Sequence, residues 1–285
     1  MSSFQIIEQS NSELPHLGFR RYLPHPHLKQ WVQNYWIAKQ DNFPDAGFTE
    51  TLYPDGGISL TFSFHNDVPG LELKTRQVAS KILIRESIDW IGVRFHPGGL
   101  FKLFSLDMNN LSDADENPEI LRHELDNIQE KLAELNNVNA RLLKVENWLL
   151  DKCYQRNPRA GLLQHLLQDF LVPHSSLDEI IKSQTISRRQ LERKFQQEIG
   201  LSPTQLKQLH RIKLARESIS FDPSRPLTDI AMDCGFYDQS HFIHHFQKIT
   251  GQTPGQYKAR KVAKKYSYDN SVVNDPDLTF NDRST

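Results

Sequence analysis

The C-terminal third of the sequence contains an internal repeat, which constrains the fold more than any other feature. Leu177 and Ile180 in the first copy correspond to Leu227 and Ile230 in the second, at an offset of 50 residues. Beyond a turn the offset becomes 51 and pairs Ser187 with Asp238, Leu191 with Phe242, Phe195 with Phe246, Gly200 with Gly251 and Pro203 with Pro254. Because the register changes only in the turn, the pattern predicts one small structural unit built twice.

Each copy has the signals of a helix, a short turn and a second helix. Ser187 and Asp238 are residue types that cap helix N-termini, and Gly200 suits a left-handed helix end. Gly235 suits the tight turn of the second copy. Apolar residues four apart predict a buried stripe on each second helix, Leu191 with Phe195 and Phe242 with Phe246.

The segment between the copies, residues 203–220, has the periodicity of one longer helix. Its predicted apolar side contains Leu206, Leu209, Ile212, Leu214 and Ile219. Its predicted polar side includes Lys207, Arg211, Lys213 and Arg216. Such a helix would join the two repeated units.

The remaining faces of the two capped helices are rich in side chains that contact DNA. They carry Arg188, Arg189, Glu192, Arg193 and Lys194 in the first unit, and Gln239, Ser240, His241, His244, His245 and Lys248 in the second. Arginine pairs with guanine, glutamine with adenine and glutamate with cytosine, while lysine contacts phosphate. For any single polar residue on these helices, simple exposure to solvent is the better explanation. Two such polar faces, each on the second helix of a repeated helix-turn-helix, favour DNA binding instead. Lys194, Lys248, Lys258 and Arg260 are the candidate phosphate contacts.

Charge is distributed unevenly along the chain. Residues 171–265 carry 16 lysines and arginines against 9 acidic residues, a surplus of +7, whereas the whole chain has a formal net charge of −1. A basic segment joined to an acidic one is typical of polyanion binding. Solvated helix faces explain the same surplus equally well, so charge supports the DNA hypothesis without deciding it.

The second copy also carries an ordered string of residues, Leu227-Thr228-Asp229-Ile230-Ala231, Cys234-Gly235-Phe236, Asp238-Gln239-Ser240-His241-Phe242, Phe246, Gly251 and Thr253-Pro254. With this string, residues 176–260 resemble the paired helix-turn-helix domain of the AraC/XylS family of transcription regulators. The resemblance implies that the helix after each turn enters the major groove of double-stranded DNA. It implies base-reading positions at Arg189, Glu192, Arg193, Gln239, Ser240, His241 and His244. Two such helices on one face of DNA are expected about 34 Å apart.

The first unit departs from the family pattern at two positions. Ile181 stands where such domains usually have a small alanine, and Thr185 stands where they have glycine or another small residue. We expect Ile181 to widen the helix packing, so the first unit is predicted to sit differently or to read DNA less stringently.

The N-terminal part has α+β patterning. Ile58, Leu60 and Phe62 alternate with polar residues, which predicts a half-buried strand, and further strands are predicted at 82–84 and 90–95. The expected fold class is a mixed α/β N-terminal domain with a small antiparallel sheet, a helical connector and an all-α C-terminal domain. The expected bounds are 1–113 for a regulatory or assembly domain, 114–172 for the connector, 173–262 for the double helix-turn-helix domain and 263–285 for a flexible tail.

Two turn motifs mark the N-terminal part, Tyr53-Pro54-Asp55-Gly56-Gly57 and the segment 92–99, which ends in His96-Pro97-Gly98-Gly99. They resemble markers of an uncharacterised domain found at the front of some AraC-type regulators. The resemblance implies a regulatory or assembly role and names no ligand. Arg94 and His96 beside the second turn could form an anion-binding nest, although an ordinary strand end is the better interpretation.

Other function classes have weaker support. His241, His244 and His245 have a spacing that could hold a metal, but no cysteine or carboxylate completes a tetrahedral set, so no metal and no cofactor is predicted. An enzyme with a nucleophilic cysteine, Cys153 or Cys234, stays as an alternative without a catalytic motif to support it. A third alternative is an effector-free protein whose N-terminal half only oligomerises.

The predicted function is therefore a non-enzymatic, sequence-specific transcription regulator with double-stranded promoter or operator DNA as its partner. A small-molecule effector, RNA polymerase and a second copy of the chain are further partners left open. With two cysteines, no basic and apolar start and no membrane-length apolar run, a cytoplasmic bacterial location is expected.

Overall fold

The structure is a computed structural model that describes residues 17–41, 47–64, 70–74, 77–110, 119–159, 161–182 and 186–273. Thr185 and residues 274–285 lie outside this part of the chain. The described residues fall into two compact units, Met1–His210 and Arg211–Thr285.

The strands of the first unit form two antiparallel sheets. The strands are β1 (Arg20–Tyr22), β2 (Val32–Gln40), β3 (Phe48–Leu52), β4 (Ile58–Ser63), β5 (Gly70–Lys74), β6 (Ser80–Ile84) and β7 (Ile88–Phe95). The larger sheet has the order β1-β2-β7-β4-β5, and β3 pairs with β6 in the smaller one. The antiparallel sheet and the strands predicted around 58–62, at 82–84 and at 90–95 are confirmed.

Alternation along the strands decides which side of the larger sheet is buried. Ile58, Leu60 and Phe62 are at most 3 % exposed, and Ser59 and Thr61 between them are half-buried. This is the period of two that places successive side chains on opposite faces of a strand. The buried face packs against helices that follow the sheet in the chain.

The helices after the sheet are α1 (Gly99–Phe104), α2 (Glu119–Ala133), α3 (Val138–Arg156) and α4 (Leu162–Phe170). Helices α2 and α3 lie in the segment 114–172 that was expected to be a connector. Their apolar sides, including Leu125, Leu132, Leu142 and Leu149, share one core with Phe62 and Phe95 of the sheet. Helical spacing shows that one face of a helix is buried, but it does not show which partner buries that face.

The remaining helices carry the repeat. They are α5 (Leu177–Lys182), α6 (Arg188–Ile199), α7 (Pro203–Phe221), α8 (Leu227–Asp233), α9 (Gln239–Thr250) and α10 (Pro254–Val273). The division into compact units falls inside α7, so the first helix-turn-helix belongs to the same unit as the sheet.

Three details differ from the sequence-based expectations. Arg216, predicted on the polar side of α7, is only 7 % exposed, because its guanidinium lies 5.9 Å from the ring of Tyr257 in α10. Leu214 is half-buried, and Ala215 fills the core position instead. Residues 263–273 continue α10 where a flexible tail was expected, since the run 258–265 is rich in the helix formers lysine, arginine and alanine. Within the described residues, no helix is both long and apolar enough to cross a membrane.

Candidate nucleic-acid interface

The first helix-turn-helix is held together by caps and by an aromatic contact. Ser187 caps α6 through a capping box with Gln190, in which the Ser187 Oγ accepts from the Gln190 backbone N–H at 3.3 Å. Gly200 ends the helix in the left-handed conformation with φ of 79°. Phe195 is buried and its ring lies 5.7 Å from that of Phe170 in α4. Both predicted caps are confirmed, and α4 is an additional helix of this unit.

A lysine of α7 ties the start of the unit to its core. The Lys207 ammonium donates to the backbone carbonyl of Ser175 and, at 2.7 Å, to its Oγ. The same ammonium lies 5.1 Å from the ring centroid of Phe170. Ile181, the departure from the family pattern, is half-buried in α5.

The outward face of α6 presents the predicted base-reading residues. Arg189, Glu192 and Arg193 are exposed. Arg188 is exposed as well, but its guanidinium lies 3.3 Å from Asp178 and 3.3 Å from Glu192. Exposed pairs of this kind contribute little stability, so Arg188 can exchange its partners for a phosphate. Lys194 has a side chain that is 45 % exposed and approaches Glu198 at 4.0 Å.

The second helix-turn-helix is built around an aromatic core. Phe242 and Phe246 are fully buried, with ring centroids 5.5 Å apart, and Phe246 lies 5.6 Å from Tyr257. Gly235, with φ of 79°, makes the turn, and its backbone N–H donates to the carbonyl of Met232. Asp238 caps α9 as predicted, accepting from the backbone N–H of His241. The two Phe anchors at 242 and 246 are confirmed as core residues.

The outward face of α9 presents a cluster of histidines. Gln239, Ser240, His241, His244 and Lys248 are all exposed. The ring of His245, which is half-buried, lies 4.3 Å from that of His241 and 5.4 Å from that of His244. Burial lowers the pKa of His245, and the neighbouring histidines, Lys248 and Arg211 lower it further.

The two predicted phosphate contacts beyond α9 are engaged within the protein. The Lys258 ammonium donates to the carbonyls of Arg225 at 2.9 Å and Ser224 at 3.5 Å. Arg260 lies 5.3 Å from the ring of Tyr257 but is exposed. Lys258 therefore fastens the loop before α8 to α10, a structural role that its sequence position did not indicate.

Tyr237 is a candidate that the sequence interpretation missed. It lies directly before the cap of α9 and is 90 % exposed, the largest exposure among the apolar and aromatic residues that the structure describes as exposed. An exposed aromatic ring next to the candidate reading helix is a side chain of the kind that stacks on bases. The sequence signal that could have identified Tyr237 was its position between the turn glycine, Gly235, and the cap residue, Asp238.

The alternative sites gain no support from the geometry. The Arg94 guanidinium pairs with Asp55 and donates to Ser59 Oγ at 3.0 Å. Because these contacts already engage the guanidinium, the geometry does not favour an anion-binding site there. Burial raises the pKa of both thiols, that of Cys234 to about 11, whereas a nucleophilic cysteine needs a lowered pKa. In the described part of the chain, no group of three histidine, cysteine or acidic side chains is arranged so that it could hold a metal ion.

Two family comparisons fit this arrangement. Residues 182–260 match the sequence model of a helix-turn-helix domain family, and residues 20–117 match that of a domain of unknown function, DUF6597. The C-terminal region is therefore similar to a helix-turn-helix domain, and the region before it is similar to the DUF6597 domain.

Individual proteins to which the chain is similar are transcription regulators. The chain is 26 % identical over 117 residues to the probable transcriptional regulator LumQ of Photobacterium leiognathi, covering 41 % of this chain and 47 % of LumQ. It is 30 % identical over 96 residues to the transcriptional activator RhaS of Escherichia coli, covering 34 % of each chain. It is 35 % identical over 77 residues to the regulator ArgR of Pseudomonas aeruginosa, covering 27 % of this chain and 23 % of ArgR. The matches span less than half the length of each relative.

Among solved structures, an apo form of ToxT from Vibrio cholerae aligns with 79 % of this chain and 96 % of its own, at 14 % identity and a TM-score of 0.38. Similarity at this level does not define a shared fold or ligand.

Proposed function

We propose that the protein is a sequence-specific DNA-binding transcription regulator of the AraC/XylS type. One observation carries the proposal: two capped helices, α6 and α9, each bury an apolar stripe and expose the polar residues that suit base and phosphate contacts. The transcription regulators among its relatives support the same class.

In this proposal the two helices read adjacent major grooves. Base contacts come from Arg189, Glu192 and Arg193 of α6 and from Gln239, Ser240, His241 and His244 of α9. Phosphate contacts come from Arg188, Lys194, Lys248 and Arg260, and Tyr237 lies beside them. Lys258 contacts phosphate only after its ammonium releases the carbonyl oxygens of Ser224 and Arg225. Base contacts select sequence, and phosphate contacts position the protein and make binding depend on salt.

The N-terminal domain is proposed to be regulatory, with a small-molecule effector as its partner. A cleft of about 490 Å³ is lined by residues that include Arg20, Lys39, Asn137 and Asn139. Arg20 and the amide groups suit a ligand that carries an anionic group, while Lys39 lies 3.5 Å from Asp89 Oδ2. Substituting Arg20 with alanine should weaken effector binding, and an unchanged response would exclude this cleft.

The further assignments follow from the proposed class. RNA polymerase and a second copy of the chain are proposed partners, and the location is proposed to be cytoplasmic. The protein is proposed to act without enzymatic activity, and burial that raises the pKa of both thiols disfavours a nucleophilic cysteine.

The deciding experiment is selection of binding sequences from random duplex DNA by the full-length protein, followed by affinity measurements against salt. Two enriched elements about one helical turn apart are expected. A single short element would mean that the first unit does not read bases. No enrichment and no salt-dependent binding, with or without cell extract as a source of effector, would overturn the proposal.

A further inference from the structure

The two glycine turns of the N-terminal domain lie outside the helices proposed to read DNA, yet both lie against the first helix-turn-helix unit. In the first turn, Gly56 has φ of +83°, and a Cβ atom there would overlap the side chain of Leu206 and lie 3.8 Å from Leu201. Both leucines are at most 6 % exposed. The turn therefore covers the apolar junction between α6 and α7.

The second turn reaches the C-terminal end of α6. A Cβ atom at Gly98, where φ is +79°, would lie 3.0 Å from Nε2 of Gln164 and 3.8 Å from the carbonyl oxygen of Glu198. The left-handed conformation favours glycine at this position, and a Cβ atom would press against the Gln164 side chain.

An ion pair and an apolar contact continue the same surface. The Lys102 ammonium of α1 lies 3.3 Å from Glu198 Oε2, and the two side chains are 18 % and 7 % exposed. After α1, the buried Met108 packs where Gly200 ends α6, since a Cβ at Gly200 would lie 3.3 Å from the Met108 Cβ. An ion pair this far from water is costly to break from one side.

The two turns are also fastened to each other. The Asp55 carboxylate pairs with the Arg94 guanidinium and accepts from the Gly57 backbone N–H at 3.1 Å. Burial lowers the pKa of Arg94 to about 10, so it remains charged at neutral pH. The ion pair and the hydrogen bond therefore link the two turns into one surface.

This contact leaves the reading face of the first unit open. It uses Glu198, Ile199 and Gly200 at the end of α6, whereas Arg189 and Arg193 near the start of the helix are exposed. DNA and the N-terminal domain can therefore hold α6 at the same time.

We propose that the two glycine turns form a docking surface for the first helix-turn-helix unit of the same chain, through which the N-terminal domain controls how firmly α6 is held for reading DNA. The proposal rests on the proposed function, because it takes α6 to be a reading helix. The proposal assigns a role to the two turn motifs of the N-terminal domain. It also provides a route by which a change in the N-terminal domain reaches the first helix-turn-helix unit.

The test uses charge reversal across the ion pair in the full-length protein. Lys102→Glu and Glu198→Lys each leave like charges facing, and the double variant restores opposite charges. Hydrogen exchange without DNA is expected to become at least about tenfold faster for the amides of α6 in each single variant, and to recover in the double variant. The amides of α9 should not change. Lys144→Glu, a reversal at an exposed lysine of α3, is the matched control.

Footprinting on selected DNA gives the second readout. Single variants should lose protection of the element read by the first unit and keep that of the second. Unchanged exchange in α6 would overturn the docking surface, and faster exchange with an unchanged footprint would overturn its control over reading. If a single variant fails to fold, Glu198→Gln removes the charge at constant volume and gives the same readouts. Absence of DNA binding by the unmodified protein would remove the proposed function, while the exchange result would still decide the docking.

Discussion

The carboxylate of Asp238 accepts a hydrogen bond of 2.7 Å from the backbone N–H of His241. The bond satisfies one of the free N–H groups at the start of α9 and fixes the backbone of a proposed base-reading residue. This single contact therefore both stabilises the start of α9 and positions a proposed base-reading residue. It lies at the turn that the sequence repeat predicted.

Removing this cap should weaken the second unit. Asp238→Ala is expected to lower the free energy of unfolding by about 0.5–2 kcal/mol, because the N–H of His241 loses its acceptor. Urea denaturation measures the change, and Asp238→Asn, which keeps a capping oxygen, should retain most of the stability. Equal losses in both variants would show that the negative charge rather than the cap matters.

The aromatic core of the second unit should tolerate no truncation. Phe242→Ala is expected to cost about 3–5 kcal/mol, since Phe242 is fully buried and its removal leaves a cavity. Phe221→Ala is the matched control, because Phe221 is 89 % exposed and should change stability by less than about 0.5 kcal/mol. A small effect at Phe242 would contradict its place as an anchor of α9.

Arg193 should select sequence, and Lys248 should supply affinity. Arg193→Ala is expected to cost about 1–3 kcal/mol at the preferred site and to relax discrimination at one base pair. Lys248→Ala should weaken binding to all sequences alike and lower the salt slope by about one. Competition binding with single-base variants separates the two. Uniform weakening by Arg193→Ala would make it a phosphate contact.

Acidification should destabilise the second unit through His245. Its folded-state pKa lies below the ordinary value of about 6.5, so above that pH the residue is neutral in both states. As the pH falls below about 6.5, the unfolded chain takes up the proton first, and stability drops until the pH passes the folded-state pKa. Thermal unfolding from pH 7.5 to 5 should show this loss.

Two variants isolate the His245 contribution. His245→Gln should flatten the pH dependence of unfolding, whereas His165→Gln, at an exposed histidine of α4, should leave it in place. A profile that His245→Gln does not alter would assign the dependence to other groups.

Both thiols should react slowly with an alkylating reagent at neutral pH. Cys234 is only 4 % exposed, and burial raises the pKa of Cys234 and of Cys153. Rates well below that of free cysteine are expected, rising with pH as thiolate forms. Fast labelling of either residue at pH 7 would restore the cysteine-enzyme alternative.

Sequence patterns predicted the candidate site better than they predicted its surroundings. The repeat and the cap residues Ser187 and Asp238 are local signals, each read within a few residues of the chain. The role of Lys258 was not accessible in this way, because its carbonyl partners in Ser224 and Arg225 lie more than 30 residues away in sequence. The exposure of Tyr237 likewise depends on what the rest of the unit leaves uncovered.

By itself the sequence determined the secondary structure of the repeat, its buried stripes and the alternation of β4, because hydrogen-bond geometry imposes periods of 3.6 and 2 on neighbouring residues. Only the tertiary structure decided that α2 and α3 complete the core of the sheet, that Arg216 is buried against Tyr257, and that Lys102 meets Glu198. Periodicity in the sequence shows that one face of a helix or strand is buried, but it does not identify the surface that packs against that face. That choice is made by packing between segments distant in the chain, where shape and charge must match at once.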